Sequence, residues 1–283
     1  MMLFEYPFIF KALILCLILT GMHTYLGYHI VKRGVIFVDL ALAQIAALGG
    51  CAAALAGFSA ETHPALNYLV ALCFTLLGAV LFSFFRSKKE KVPIEALIGI
   101  TYAGAIALSL IILERSATGS EEIKEMLSGS ILTVSSGELL FITVLYAVIG
   151  AVHFVFRKKF IAVTNDHEAA AASGVNIMFW DILFYATFGF IVTSSVKIAG
   201  VMLVFSFLII PSVAAAFAAA GTVKRIVFGW IFGITGCVLG LETSLRLDWT
   251  PGASIVAAFL ALLCAVIFIK NKTGVFNGLD KER

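Results

Sequence analysis

The sequence predicts an all-α polytopic membrane bundle of eight or nine transmembrane helices, read as one domain over residues 1–283. Three observations predict it. Nine apolar stretches are each long enough to match the hydrocarbon core of a bilayer. Hydrophobic residues make up 61% of the chain and charged residues 13%, with a mean hydropathy of +1.05. A soluble domain carries about twice that charge. Lys and Arg also crowd into every second loop. No linker or composition shift divides the chain.

Read in order, the spans fall at 8–31, 36–57, 66–85, 93–113, 137–156, 176–196, 198–219, 225–244 and 253–270. No Lys or Arg precedes the first apolar run and no small-residue cleavage site follows it, so the first span is expected to be retained. Between spans six and seven only Ser194 to Lys197 intervene. A broken or re-entrant helix around Gly200 and Pro211 is the alternative there.

The basic loops contain Lys32 and Arg33, then Arg86, Lys88, Lys89 and Lys91, then Arg157 to Lys159, then Lys224 and Arg225, then Lys270 and Lys272. The intervening loops hold only Arg115, Lys124, Lys197 and Arg246. The positive-inside rule places the basic loops in the cytoplasm, the N-terminus outside and the C-terminus inside. The largest outer segment, 114–138, is acidic, with Glu114, Glu121, Glu122, Glu125 and Glu138. The net charge of +3 is too small and too dispersed to suggest a nucleic-acid partner. The five cysteines all lie within spans without CxxC spacing and read as small apolar residues.

Polar groups inside spans are costly, so they mark candidate sites. Asp39 and Gln44 stand in span two, within FVDLALAQIAALG, and His23 in span one, within GMHTYLG. Counted from the basic turn between them, His23 and Asp39 fall at similar depth, roughly 9–12 Å in. Imidazole and carboxylate together suit a borderline divalent metal; the alternative is a hydrogen bond between helices. Gln44 points about 140° away from Asp39 on a regular helix and reads as a packing hydrogen bond. His29 and His153 read as interfacial, His63 as solvated, and Asp181 and Glu242 as span-end carboxylates that snorkel. Span eight carries Gly229, Gly233, Gly236 and Gly240 along one face, which reads as close packing within the bundle, with a dimer contact as the alternative.

After span five the chain reads TNDHEAAAASGVNI. Asp166 and Glu168 precede four alanines and Gly174, the pattern of a short helix with carboxylates at its N-terminus and a glycine stop. It is too short and too polar to span, and it falls on the cytoplasmic side. A partner gripping it and an ordinary interfacial loop helix are the two readings.

These residues carry a resemblance. The chain is similar to the permease subunits of ABC importers that take up zinc, manganese or iron with an external binding protein. AGVMLVFSFLIIPSVAAAFA at 199–218 resembles that family's G-V-L-L-V-x-x-L-L-I-I-P-A-x-x-A block. Asp166, Glu168 and Gly174 match its D-P-E-x-A-x-x-x-G coupling segment in spacing. Lys32–Arg33 followed by Asp39 is similar to R-R-x5-D. Where the family has G-D-x-x-x-H, this chain has Val38 and Ala43 at the Gly and His positions, so only Asp39 carries over as a metal contact.

The resemblance implies an inner-membrane permease that works as a homodimer. Its partners would be ABC ATPase subunits and an extracytoplasmic metal-binding protein. It would hold no permanent cofactor and carry a divalent metal ion as cargo. Asp39 would be the metal residue that the resemblance carries over, and Asp166, Glu168 and Gly174 the coupling residues; His23 is added as a metal residue from its depth alone, and Gly200 and Pro211 as a gating break from the sequence pattern. No GxxxxGK[ST] loop occurs, so ATP hydrolysis is expected on a separate subunit. The rival is an ion-gradient-driven secondary carrier for a small cation, a class that often has inverted repeats with paired broken helices. No nucleophile–base arrangement supports an enzyme.

Overall fold

Apolar runs of this length can satisfy their backbone polar groups in lipid only as helices, and helices are what the chain forms. The computed structural model describes residues 7–87, 93–114 and 131–273. Among them are eleven α-helices and one 3-10 turn, Ile131–Thr133, with no strand. The helices are α1 (Pro7–Arg33), α2 (Val38–Leu55), α3 (Pro64–Ser87), α4 (Ile94–Leu113), α5 (Ser136–Val155), α6 (Arg157–Asn165), α7 (His167–Ala172), α8 (Ile177–Ala199), α9 (Val201–Ala218), α10 (Thr222–Leu247) and α11 (Pro251–Thr273). All but α6 and α7 are long and apolar enough to cross a membrane. They match the nine expected spans to within a few residues. Lys88, Lys89 and Lys91, with Arg115, Lys124 and the acidic run Glu121, Glu122 and Glu125, lie outside the described residues.

Packing sorts the chain into two compact units, each assembled from separate stretches of sequence. One comprises Met1–Val31, Ser128–Tyr146 and Ile198–Arg283; the other comprises Lys32–Leu127 and Ala147–Lys197. Neither is set off by a linker, so composition alone gave no sign of the division.

In the first unit α9, α10 and α11 pack against one another. The α10 glycine stripe makes this possible. A Cβ at Gly229 would strike the Thr24 side chain, and one at Gly233 that of Thr20, both on α1. One at Gly236 would strike the Phe259 ring, and one at Gly240 the backbone of Ile255, both on α11. The stripe is therefore spent on intrachain packing, the first of its two expected readings. Lipid tails are as apolar as Leu, so helix association in a membrane depends on such close approach and on interhelical hydrogen bonds. Ser212 Oγ donates to the Thr24 carbonyl at 3.3 Å, and Trp230 Nε1 donates to the Gly21 carbonyl at 2.8 Å.

In the second unit α2 packs against α3 and α4. Gly49 faces Ala71 and Phe74, and Gly78 faces Ile45. Thr193 Oγ1 on α8 donates to Thr75 Oγ1 on α3 at 2.9 Å. Large apolar side chains such as Leu77, Ile100 and Val148 point outward, as lipid-facing residues should.

The junction between α8 and α9 differs from the expected break. Ser194 to Lys197 are helical, and only Gly200 separates the two helices. Gly200 has φ 76°, a conformation that ends one helix and caps the next at little cost only for glycine. Pro211 lies inside the continuous α9. There it sits against its neighbours: Gly27 of α1 abuts the Leu208 carbonyl and the Ser212 hydroxyl, and Gly229 of α10 faces the Pro211 carbonyl.

Candidate functional site

Gly34, with φ 67°, ends α1, and α2 begins only at Val38. Asp39 is thus the second residue of its helix, in the first turn, where helix N–H groups and the dipole favour a carboxylate. Its side chain is buried, and no hydrogen-bond donor faces Oδ1 among the described residues. An orphaned buried carboxylate oxygen is costly unless a cation, a proton or water meets it.

His23 is wholly buried in the middle of α1. Its Nδ1–H donates to the Leu19 carbonyl at 3.0 Å, and its ring lies 5.9 Å from that of Tyr146. That bond fixes the proton on Nδ1, so in the neutral ring Nε2 holds the lone pair, the arrangement a metal-ligating histidine requires. His23 belongs to the first unit and Asp39 to the second. Among the described residues no group of three or more His, Cys, Asp or Glu side chains converges. Gln44 is buried, and His63 is exposed as expected.

The segment after α5 holds more structure than its sequence suggests. The basic Arg157–Lys159 loop opens a helix, α6, which buries Phe160, Val163 and Thr164. Then comes α7, six residues long. Asp166 is its N-cap, with a carboxylate oxygen accepting from the Ala169 N–H at 2.8 Å. Its other end closes in a Schellman arrangement: Gly174 N–H donates to the Ala171 carbonyl at 3.0 Å and Val175 N–H to the Ala170 carbonyl at 3.2 Å. Gly174 has φ 81° and nothing within 4 Å of a notional Cβ, so backbone conformation, not space, demands glycine there. Asp166, Glu168, Ala169, Ala171, Ala172 and Gly174 are exposed, whereas Ala170 is buried. The result is a short, fixed ridge of small side chains flanked by two carboxylates.

What fixes the ridge was missed in the sequence. Arg33 and Asp181, read there as a loop cation and a snorkelling carboxylate, form an ion pair of 2.8 Å with both side chains fully buried. The Arg33 Nε–H also donates to Thr164 Oγ1 at 3.0 Å, and its guanidinium lies 3.9 Å from the Phe184 ring centroid. His167 Nε2, on α7, is 3.8 Å from Asp181 Oδ2. The last residue of α1, the last turn of α6, the start of α7 and the first turns of α8 therefore share one charged cluster. His153 completes the support. In the last turn of α5, near the span end, it is buried against protein, stacks on Phe160 at 4.2 Å and lies 2.9 Å from Thr187 Oγ1. One signal was available: positive-inside alternation puts Arg33 and Asp181 at the same membrane face with opposite charges.

Among the described residues, nine helices long and apolar enough to cross a membrane, with a braced, capped surface helix between α5 and α8, define a polytopic helical membrane protein. Comparison with known proteins specifies which kind. The chain belongs to the ABC 3 transport family, whose model matches residues 5–270. It is 23% identical over 99% of its length to the manganese transport system membrane protein MntC of Listeria monocytogenes, covering 97% of that protein. It is 24% identical over 91% of its length to the high-affinity zinc uptake system membrane protein ZnuB of Haemophilus influenzae, again covering 97% of the relative. The solved structure of PsaBC from Streptococcus pneumoniae in complex with Fab shares the fold, with TM-score 0.79, 23% identity, and coverage of 95% of this chain and 94% of that one. The family expected from the three sequence blocks is the family found.

Proposed function

We propose that the chain is the permease subunit of a binding-protein-dependent ABC importer for divalent transition metal ions: zinc, manganese or iron. It works as one domain in a homodimer, in the inner membrane, with its N-terminus outside and its C-terminus in the cytoplasm. Two ATPase subunits drive it and an extracytoplasmic metal-binding protein supplies the ion. The observation that carries this reading is the α7 ridge, capped at both ends and presenting small side chains, two carboxylates and the partly exposed His167. Asp166, Glu168 and Gly174 form the seat for the ATPase.

Asp39 is a transient ligand for the ion, with water completing the shell; His23, in the other unit, is a separate candidate ligand for the ion. Transport demands such weak binding, because a complete protein cage would trap the ion. Gly200 and Pro211 mark where α8, α9 and their neighbours rearrange as the path opens. Relatives named for manganese and zinc transport support the substrate class. The test is reconstitution with the neighbouring ATPase and binding protein in liposomes. ATP-dependent uptake of manganese or zinc is expected. Concentrative uptake by the chain alone, driven by an ion gradient, would overturn the reading.

A further inference from the structure

We propose that Arg33, Asp181 and Thr164 are positioning residues that transmit the movement of α7 into the transmembrane helices. The proposal rests on α7 being the ATPase seat. The ridge itself is only six residues long and is attached to α8 through Ser173 to Asn176. Without a brace, a push on it would be absorbed by that connection. The brace is the buried cluster. Asp181 lies in the first turns of α8 and holds Arg33 at 2.8 Å, while His167 of α7 approaches its other oxygen at 3.8 Å. Arg33 in turn holds Thr164, two residues before the Asp166 N-cap, through its Nε.

Guanidinium geometry makes this a rigid connection: Nε and Nη1 point in fixed directions, so one planar group sets the spacing between α6 and α8. Phe184 beneath the guanidinium and the His153–Phe160 stack beside it keep that plane in place. A buried pair of this kind adds little to net stability compared with apolar residues of the same volume, so its presence fits a role in setting geometry.

The test uses the permease assembled with its ATPase and binding protein in liposomes, measuring manganese uptake per ATP hydrolysed. Thr164→Val keeps the shape and removes the acceptor for Arg33; Thr164→Ser keeps the acceptor. Loss of one charge-assisted hydrogen bond in the coupled state predicts uptake per ATP falling by about tenfold in Thr164→Val. Thr164→Ser should retain the wild-type ratio, and both variants should assemble normally. The double variant Arg33→Met with Asp181→Leu removes the charges without leaving either unpaired. It should assemble and hydrolyse ATP, with uptake per ATP reduced at least as much. A wild-type ratio in Thr164→Val, or in the assembled double variant, overturns the proposal. An absence of ATP-driven uptake in the wild-type complex would instead overturn the transport reading on which it rests.

Discussion

Arg33 Nη1 donates to Asp181 Oδ1 at 2.8 Å, and neither side chain reaches solvent. Two residues separated by most of the second unit's sequence thereby neutralise each other where neither could remain alone. Charges taken out of water require a partner with good geometry, and this pair also has Thr164 and the Phe184 ring to complete it.

Breaking one side of the pair should destabilise the permease far more than removing both. Arg33→Met leaves a buried carboxylate unpaired and is expected to cost about 3–5 kcal/mol. The double variant Arg33→Met with Asp181→Leu should recover most of that loss. Thermal unfolding of the detergent-solubilised protein, followed by monodisperse size-exclusion recovery, measures the difference. Equal losses in the single and double variants would mean that the charges do not act as a pair.

Asp39→Asn preserves shape and removes the charge at the orphaned oxygen. It should abolish metal uptake while membrane level and assembly stay near wild type. His23→Ala should weaken uptake or shift the preference from zinc towards manganese, since imidazole favours zinc more than a carboxylate does. Competition uptake assays with the two ions at matched membrane levels decide both points. Unchanged rates and preference in Asp39→Asn would make the carboxylate structural.

At the ridge, Gly174→Leu forces a side chain into the left-handed region at a local cost of about 1–2 kcal/mol, and it adds bulk to an exposed seat. Reversing Asp166 and Glu168 to Lys removes the N-cap, worth about 1 kcal/mol, and the charge of the seat. Each should uncouple ATP hydrolysis from uptake while insertion is retained. Wild-type transport at equal expression would show α7 to be an ordinary surface helix.

Helix glycines in this chain differ in what they tolerate. Gly240→Ala would drive a methyl into the Ile255 backbone, which cannot rotate aside, and should markedly reduce recovery of folded protein. Gly99→Ala, on α4 with nothing within 4 Å, should be neutral or stabilising by up to about 1 kcal/mol. Yield and melting temperature in detergent compare the two. Similar behaviour would argue against the tight α10–α11 approach.

The sequence by itself determined the nine spans, because apolar run length is a local property that the bilayer thickness sets. It also determined the short α7 helix, since the Asp166 cap and the Gly174 stop act within a few residues of themselves. It made Asp39 conspicuous as a carboxylate in an apolar run. The tertiary structure alone decided that α6 is helical, as its basic residues read as loop until Phe160, Val163 and Thr164 find a surface to bury against. It alone decided that Arg33 and Asp181 are partners, that His153 is a buried stack, and that the α10 glycines meet Thr24, Thr20, Phe259 and Ile255. It alone drew two units from interleaved stretches of chain. Each of these depends on which distant segments meet. A charged residue at a span end has the same local signature whether it faces headgroups or a buried counter-ion, so only the fold separates the two.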